Sequence, residues 1–281
     1  MIRQRSSLAA LAVLAALALT ALACQSVANF FSRPESAAPA PTEVVGLVAA
    51  TNPPSAGEAT PTPRRLELPP TPTPFTVGED DPRAQLDLGH PDHNDSFDNP
   101  VTWFDFDTPG RAAYLVEDGQ LLGKDYEPDE IYTWWSYTDT SSGNLYTEIS
   151  ATNGDCIGKD SVGLAMRVDR DTAAGGYSLE VSCDGAWRFR LHQIGGDQVE
   201  LVDWTPSKAV AQGPGATNRL GVWGYEARFT LFVNGVEVGQ FWDTHYRHSY
   251  GTFAAYVRAS QTYDLTATFD DFAYWNINFI P

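Results

Sequence analysis

Apolar and polar residues alternate with a period of two along several short stretches of the C-terminal part of the chain. In residues 161–169 every second side chain is apolar, and Arg167 falls on the opposite side. The same alternation recurs in residues 177–183 and 186–193. Because successive side chains of a strand point to opposite faces, each stretch predicts a β-strand with one buried face.

Two-residue turn sequences join three pairs of these stretches. They are Asp118-Gly119, Asp184-Gly185 and Asn234-Gly235. Such pairs favour tight hairpins, because both residue types tolerate a positive φ. No stretch has an amphipathic helical period, so the pattern predicts an all-β fold of antiparallel strands packed as a sandwich.

The alternation also predicts a polar face, provided that four of the strands are consecutive neighbours in one sheet. This face carries both signs of charge, and its members are candidate binding residues: Tyr146, Glu148, Arg167, Glu180, Arg188, Arg190 and His192. Structural salt bridges across neighbouring strands are the alternative interpretation of these charges.

The first 24 residues have the pattern of an export signal. Residues 1–5 carry two arginines and no acid, and residues 8–22 are apolar except for one threonine. This run is short for a membrane-spanning helix, which makes a retained membrane anchor the weaker alternative. The sequence ALAC at 21–24 resembles the lipobox of bacterial lipoproteins, which implies a signal peptide at 1–23 and a lipid on Cys24. An ordinary signal peptidase site, giving a soluble secreted product, is the alternative.

Residues 24–82 lack any helical or strand period and are rich in proline, threonine, alanine and serine. Of the 19 prolines, 12 lie between Gln25 and Pro82. Such a segment cannot bury a core, so it predicts a disordered tether ahead of a folded domain at 95–281. A recognition sequence for a proline-binding module is the less favoured alternative.

The chain has three cysteines and a formal net charge of −18. If Cys24 carries a lipid, Cys156 and Cys183 remain, and export to an oxidising compartment predicts a structural disulfide between them. The acidic surplus argues against nucleic acid and against anionic lipid headgroups as partners of the folded domain. We therefore expect a domain that faces outward and is held at the cell membrane or envelope by the lipid.

Short motifs in a fixed order resemble those of bacterial concanavalin A-like lectin/glucanase domains. They are DSFDNP at 95–100 with Trp103, GLAMR at 163–167, YSLEV at 177–181, DGAWR at 184–188, NRLGV at 218–222, LFVNG at 231–235 and FDDF at 269–272. The resemblance covers residues 95–281 and implies a jelly roll of two antiparallel sheets. It also implies a relationship to laminin G-like modules, 3-keto-disaccharide hydrolase-type domains and laminarinase-type glycosidases.

Related jelly rolls often hold a structural Ca²⁺ on carboxylate and carbonyl oxygens. The resemblance therefore implies Asp98, Asp270 and Asp271 as candidate calcium ligands, if the terminal strands pair. Turn-forming aspartates without a metal are the alternative. No other cofactor is expected.

Catalysis is not the favoured interpretation. Retaining glycosidases need two carboxyl groups about 5 Å apart, and laminarinase-type relatives carry them on one strand as Glu-x-Asp-x-x-Glu or a form one residue shorter. This chain lacks that motif. Sugar binding needs only exposed aromatic rings beside a few polar groups. Trp223 and Tyr225, which fall opposite Leu220 and Val222 on one predicted strand, are candidates for such rings, with core packing as the alternative.

The sequence thus favours a carbohydrate-binding or adhesive module without catalysis, whose partner is a polysaccharide or glycan. A glycoside hydrolase acting on a β-glucan or a modified disaccharide is the first alternative. A structural protein-interaction module is the second.

Overall fold

The computed structural model describes residues 81–99, 102–128 and 132–277. The predicted signal peptide at 1–23, the lipidation site Cys24 and nearly all of the predicted tether lie outside the described residues, so these stay predictions. No helix in the described ranges is long and apolar enough to cross a membrane.

Fifteen β-strands and one 3-10 helix, Pro82–Gln85, make up the regular structure of the described chain. In chain order the strands are β1 (His93–Asp95), β2 (Phe106–Thr108), β3 (Ala112–Glu117), β4 (Gln120–Asp125), β5 (Ser136–Ser142), β6 (Leu145–Asn153), β7 (Ser161–Val168), β8 (Gly176–Ser182), β9 (Ala186–His192), β10 (Gln198–Pro206), β11 (Thr217–Tyr225), β12 (Arg228–Val233), β13 (Val236–Trp242), β14 (Gly251–Arg258) and β15 (Leu265–Asn276).

The strands form two antiparallel sheets, which confirms the predicted jelly-roll sandwich. The nine-stranded sheet has the order β13-β12-β11-β6-β15-β4-β3-β2, and the short β1 pairs with β15. The six-stranded sheet has the order β10-β9-β8-β7-β14-β5.

The hydrophobic core lies between the sheets, because alternation turns one face of each strand inward. Leu164, Leu179, Phe189 and Leu191 from the six-stranded sheet are fully buried there. Burial of each such side chain contributes about 1.5–3 kcal/mol. The residues between them point away from the core, so the charged residues of β8 and β9 lie on the outer face of the six-stranded sheet.

All three predicted hairpins form, as β3–β4, β8–β9 and β12–β13. Asp118 and Gly119 have φ values of 53° and 74°, and Asn234 and Gly235 have φ values of 51° and 80°. Two successive positive φ values define the type I′ turn, whose twist matches that of the strands. These Asp-Gly and Asn-Gly pairs therefore favour the two hairpins because they tolerate the positive φ values that the turns require.

The predicted disulfide also forms, between Cys156 and Cys183, whose Cα atoms are 5.9 Å apart. Cys156 lies in the connection from β6 to β7, and Cys183 directly follows β8. Because β6 and β7 belong to different sheets, the bond fastens the crossover between the sheets to the six-stranded sheet.

The prediction that four strands are consecutive neighbours is wrong for β6. Strands β7, β8 and β9 do pair in order, but β6 lies between β11 and β15 in the nine-stranded sheet. The chain changes sheets between β6 and β7, and residue alternation within a strand does not encode such a change.

The segment before β1 packs across the outer face of the nine-stranded sheet. Leu86 and Leu88 join a small apolar cluster there. Arg83 Nη1 donates a hydrogen bond of 3.0 Å to the hydroxyl of Tyr146, which lies beneath it. The folded part of the chain therefore begins before residue 95, where the sequence predicted the domain to start.

Candidate functional site

The outer face of the six-stranded sheet carries a cleft of about 820 Å³. We call it the arginine cleft. Strand β9, strand β14, the edge strand β10 and the connections beside them form its walls. The lining residues are Tyr132, Lys159, Arg188, Arg190, Gly195, Gly196, Asp197, Gln198, Glu200, Trp204, Arg258, Ser260 and Gln261.

A fully buried carboxylate, Glu180 of β8, lies beneath the arginines. Glu180 is directly opposite Arg188 in the pairing of β8 with β9. Arg188 Nε donates to Glu180 Oε2 at 2.7 Å, and Arg188 Nη2 donates to Oε1 at 2.8 Å. Arg190 Nη2 lies 3.1 Å from Glu180 Oε2. The planar fork of Arg188 thus holds both carboxylate oxygens, and two cations share one anion.

These charges determine the protonation states of Glu180 and His192, which lie beneath the cleft. Burial by itself would raise the pKa of Glu180, but the charges of Arg190 and Arg188 outweigh burial and hold that pKa well below its usual range. Burial and the charge of Arg190 lower the pKa of His192 to about 3. Glu180 is therefore ionised and His192 neutral near pH 7, and neither is suited to exchange a proton there.

A hydrogen-bonded group continues from Glu180 across the sheet. Tyr256 of β14 lies over Gly163 of β7, where a Cβ atom would be 2.2 Å from the tyrosine ring. The Tyr256 hydroxyl lies 2.9 Å from Ser178 Oγ and 3.1 Å from Glu180 Oε2. Ser178 Oγ is in turn 2.8 Å from His192 Nε2. Only glycine at position 163 leaves room for this arrangement.

Gln198 of the edge strand β10 links two arginines. Its side-chain oxygen accepts hydrogen bonds from Arg190 Nη1 and, at 2.8 Å, from Arg258 Nη1. Its amide nitrogen donates to Thr133 Oγ1 at 2.9 Å. The edge strand therefore sets the positions of the arginines as well as closing the cleft.

Glu200 and Trp204 form the outer wall of the cleft. Arg188 Nη1 donates to Glu200 Oε1 at 3.1 Å, and the Glu200 side chain is 43% exposed. Arg188 Cζ lies 4.2 Å from the centre of the Trp204 ring, and Lys159 Nζ lies 4.9 Å from it. The ion pair of Glu200 is thus open to solvent, whereas that of Glu180 is buried.

A depression of about 410 Å³ adjoins the arginine cleft. We call it the aromatic pocket, because six of its nine lining residues are aromatic: Phe104, Phe106, Tyr132, Trp134, Trp135 and Tyr137. Phe104 and Tyr137 stack with ring centres 5.0 Å apart, and Phe104 and Tyr132 are 48% and 55% exposed. Tyr132 lines both the pocket and the cleft, so the two are adjacent at this residue.

Trp223 and Tyr225 lie elsewhere, on the outer face of the nine-stranded sheet. Both are half-buried and line a groove of about 500 Å³ together with Trp242, which is 61% exposed. Arg228 Cζ lies 4.9 Å from the centre of the Trp242 ring. The structure brings the two predicted aromatic residues together, but not with the arginines. Ligand binding by Trp223 and Tyr225 stays a prediction.

Tyr146 and Glu148 also lie on the outer face of the nine-stranded sheet, where both are buried. The Tyr146 hydroxyl donates to Glu148 Oε2 at 2.8 Å, and Arg219 Nη2 pairs with Glu148 Oε1 at 2.7 Å. The prediction that these two residues share a face with Arg188 is wrong, because β6 belongs to the other sheet.

Arg167 does not reach the arginine cleft either. Its φ is 52°, in a stretch where the register of β7 with β14 shifts. Its Nε donates to the carbonyl of Gly143 at 2.9 Å and its Nη1 to that of Glu226 at 2.8 Å. The bulge interrupts the alternation of side chains between the two faces of β7. The prediction that Arg167 shares a face with Arg188 is therefore wrong.

The three aspartates predicted to hold calcium lie near one another. Burial raises the pKa of Asp270, and the charges of Asp271 and Asp98 contribute to the rise. The described residues nevertheless contain no group of three or more His, Cys, Asp or Glu side chains placed to hold a metal ion. The aspartates therefore do not form a built metal site, and calcium binding by them stays a prediction.

Alternation in the sequence correctly predicted that Arg188, Arg190 and His192 share a face with Glu180. It did not predict that this face also holds three further residues: Arg258, Gln198 and Trp204. Alternation in β14 places Arg258 on the same face as Tyr256, so the signal for Arg258 was present. Gln198 and Trp204 belong to β10, whose register against β9 shifts twice. These irregularities conceal the face to which a β10 side chain belongs.

Comparison with solved structures gives the class of the fold. The carbohydrate-binding module CBM66 from Bacillus subtilis matches with a TM-score of 0.50 and 17% identity, over 63% of this chain and 98% of the module. A β-glucanase from Bacillus licheniformis matches with a TM-score of 0.48 and 10% identity, over 66% and 98% of the two chains. The catalytic domain of an endo-1,3-β-glucanase (laminarinase) from Thermotoga petrophila matches with a TM-score of 0.46 and 13% identity, over 68% and 98%.

The described chain is a jelly-roll sandwich of two antiparallel sheets, and the likeness to CBM66 is a likeness of fold. No protein-family model and no curated protein matches the sequence. At these identities the likeness defines the architecture, and the function has to be argued from the site.

Proposed function

We propose that this protein binds carbohydrate, without catalysis, on the outer face of the six-stranded sheet. The observation that carries the proposal is that the aromatic pocket and the arginine cleft are adjacent, with Tyr132 lining both. Exposed ring faces receive the C–H faces of pyranose rings, and convergent polar side chains fix the sugar hydroxyls. The similarity of the fold to a module whose name states carbohydrate binding supports this assignment.

The proposal includes export and attachment to the membrane through a lipid on Cys24. The first described residues lie on the outer face of the nine-stranded sheet, where Arg83 contacts Tyr146. The arginine cleft lies on the outer face of the other sheet. Mass spectrometry of the mature N-terminus tests this part, and an unmodified Cys24 would contradict it.

Hydrolysis of a glycosidic bond is the second candidate, and one observation favours it. Asp197 and Glu200 both line the cleft, and burial raises the pKa of Glu200, as a general acid requires. Glu180 is unsuited to that role, because it is fully buried and its pKa is held low by Arg190 and Arg188.

Binding of the full-length protein to a glycan array and to insoluble polysaccharides tests the proposal. We expect Tyr132→Ala and Phe104→Ala to weaken binding about tenfold or more each, which corresponds to ~1.4 kcal/mol, because each change removes an exposed ring face. Tyr250→Ala is the matched control, since Tyr250 is 66% exposed and lines neither the pocket nor the cleft.

The outcomes separate the candidate functions. Undiminished binding by both variants would show that sugar binds elsewhere. Release of reducing sugar that disappears in Glu200→Gln would favour the hydrolase. Failure to bind any glycan would contradict the proposal and favour a protein-interaction module.

A further inference from the structure

A second concave surface lies on the outer face of the nine-stranded sheet, and the proposed function does not use it. It is the groove of about 500 Å³ that Trp223 and Tyr225 line together with Trp242. Residues of β11, β12 and β13 form this groove, and Gln85 from the segment before β1 joins them. We call it the tryptophan groove. Aromatic and polar side chains share one concavity there, which is the composition of a small-molecule site.

One row of the groove places an arginine between two aromatic residues. Tyr225 of β11 is directly opposite Arg228 of β12, and Arg228 is opposite Trp242 of β13. Neighbouring strands are about 4.8 Å apart, so the row covers about 10 Å across the sheet. Arg228 Cζ lies 4.9 Å from the centre of the Trp242 ring, and the Trp242 side chain is 61% exposed. The C–H face of a sugar can stack on such an exposed ring.

This row has concave surface on both sides. The tryptophan groove lies on the side of Trp223, and a depression of about 160 Å³ lies on the side of the turn at 226–227. Tyr225, Arg228 and Trp242 line both of them. A ligand stacked on this row can therefore extend past it, as a polymer must.

The next row of the groove supplies polar groups. Trp223 is opposite Thr230, and Thr230 is opposite Gln240. The side chains of Gln85 and Thr230 make no hydrogen bond within the described part of the chain. Gln240 Nε2 donates to Glu237 Oε1 at 2.9 Å, and its side-chain oxygen accepts none from the described residues. Amide and hydroxyl groups donate and accept hydrogen bonds, as sugar hydroxyls do.

The charge of the groove favours an uncharged ligand. Among the described residues that line it, Arg228 is the one charged side chain, and none is a carboxylate. A single guanidinium that already stacks on Trp242 is not a convergent set of charges. A neutral sugar needs only a ring face and a few hydrogen-bonding groups beside it, and the two rows supply these.

We infer that the tryptophan groove is a second carbohydrate-binding site, which stacks a neutral sugar unit of a polysaccharide on Trp242. The hydroxyls of this sugar would be bound by Gln85, Thr230 and Gln240. The inference goes beyond the proposed function, which places one site on the six-stranded sheet, and it shares with that function the class of ligand. Because the two sites lie on the outer faces of different sheets, one molecule can hold two polysaccharide chains.

Affinity electrophoresis of the full-length protein, in gels that contain a polysaccharide, separates the two sites. The neutral probes are mixed-linkage β-glucan, xylan and mannan, and polygalacturonate is the anionic comparison. The double variant Phe104→Ala, Tyr132→Ala removes two exposed rings from the aromatic pocket. We expect it to keep binding to at least one neutral polymer, at lower affinity than the wild-type protein, because the groove is intact.

Further changes in this double variant assign the remaining binding to the groove. We expect Trp242→Ala to weaken it about tenfold or more, because the exposed ring is lost. Trp242→Phe should keep it within about threefold, since a ring face remains. Gln85→Ala should weaken it about threefold, because one hydrogen-bonding group is lost.

Tyr263→Ala is the matched control for Trp242→Ala. Tyr263 is 70% exposed and does not line the tryptophan groove, so its replacement should leave the remaining binding unchanged. Thermal unfolding of each variant checks the fold. Trp242→Ala should melt close to the parent protein, because exposed side chains contribute little to stability.

The failures of the two proposals are distinguishable. Loss of all binding in the Phe104→Ala, Tyr132→Ala variant would overturn the inference and leave the proposed function standing, and so would remaining binding that Trp242→Ala does not change. If only Trp242→Ala weakened binding of the wild-type protein, the inference would stand and the proposed site on the six-stranded sheet would be wrong.

The polymers test the class of ligand. If the double variant bound polygalacturonate more tightly than every neutral polymer, the assignment to a neutral sugar would be wrong. If the wild-type protein bound none of the three neutral polymers, the inference would be overturned. Failure on the glycan array as well would remove the proposed function itself.

Discussion

Glu180 is the buried anion of a site that holds several cations. It accepts two hydrogen bonds from Arg188 and lies 3.1 Å from Arg190 Nη2. We expect Glu180→Gln to lower the free energy of unfolding by about 3–5 kcal/mol, because it removes the buried counter-ion of Arg190 and leaves Arg188 only its pair with the partly exposed Glu200. Chemical denaturation measures this loss. Glu237→Gln, at an exposed position of β13, is the control and should change stability by less than about 0.5 kcal/mol.

His192 makes the folding stability depend on pH. Burial and the charge of Arg190 lower its folded-state pKa to about 3, whereas the unfolded chain has the ordinary value of about 6.5. Between these values the unfolded state binds more protons. The contribution of neutral His192 to the free energy of unfolding is therefore complete above about pH 6.5, and it is lost as the pH falls toward 3.

Urea unfolding at pH 7 and pH 5 tests this dependence. We expect the wild-type protein to lose stability between the two pH values, and His192→Gln to lose less. His245→Gln is the control, because the His245 side chain is 77% exposed. It should lose as much stability between pH 7 and pH 5 as the wild-type protein does. An equally large loss in His192→Gln would contradict the explanation.

At the scale of elements, the disulfide fixes the crossover from one sheet to the other. Cys156 and Cys183 are 27 residues apart in sequence. In the chain-entropy account, a loop of this length stabilises the fold by about 3.5 kcal/mol. We expect the Cys156→Ser, Cys183→Ser double variant to lose stability of this order in thermal unfolding. Equal melting temperatures for the oxidised and reduced wild-type protein would contradict this expectation.

Elements whose pairing depends on local residues were predictable from the sequence. The three hairpins follow from turn residues that accept positive φ, and the faces of β8 and β9 follow from strict alternation. Arg167 marks the limit of this reasoning, since one bulge in β7 turns its side chain away from the arginine cleft. The strand β10 is a second case, because two register shifts hide the positions of Gln198 and Trp204.

At the scale of the whole molecule, the two sheets differ in what covers their outer faces. The segment before β1 covers part of the nine-stranded sheet, where Leu86, Leu88 and Arg83 pack over Tyr146. The outer face of the six-stranded sheet keeps the arginine cleft open, and the aromatic pocket adjoins this cleft at Tyr132. The segment leaves the arginine cleft uncovered, and the face that carries this cleft is the proposed binding surface.

The sequence by itself determined the all-β class, the hairpins, the cysteine pair and the shared face of Arg188, Arg190 and His192. All of these depend on residues that are close in sequence or on alternation within one strand. The tertiary structure alone decided that β6 lies in the other sheet, that Arg258 and Gln198 join the arginines, and that Tyr132 connects the cleft to the aromatic pocket. These contacts join residues that are far apart in sequence, such as Thr133 and Arg258, which are 125 positions apart. They are set by how the two sheets pack and where the chain crosses between them, which no local pattern records.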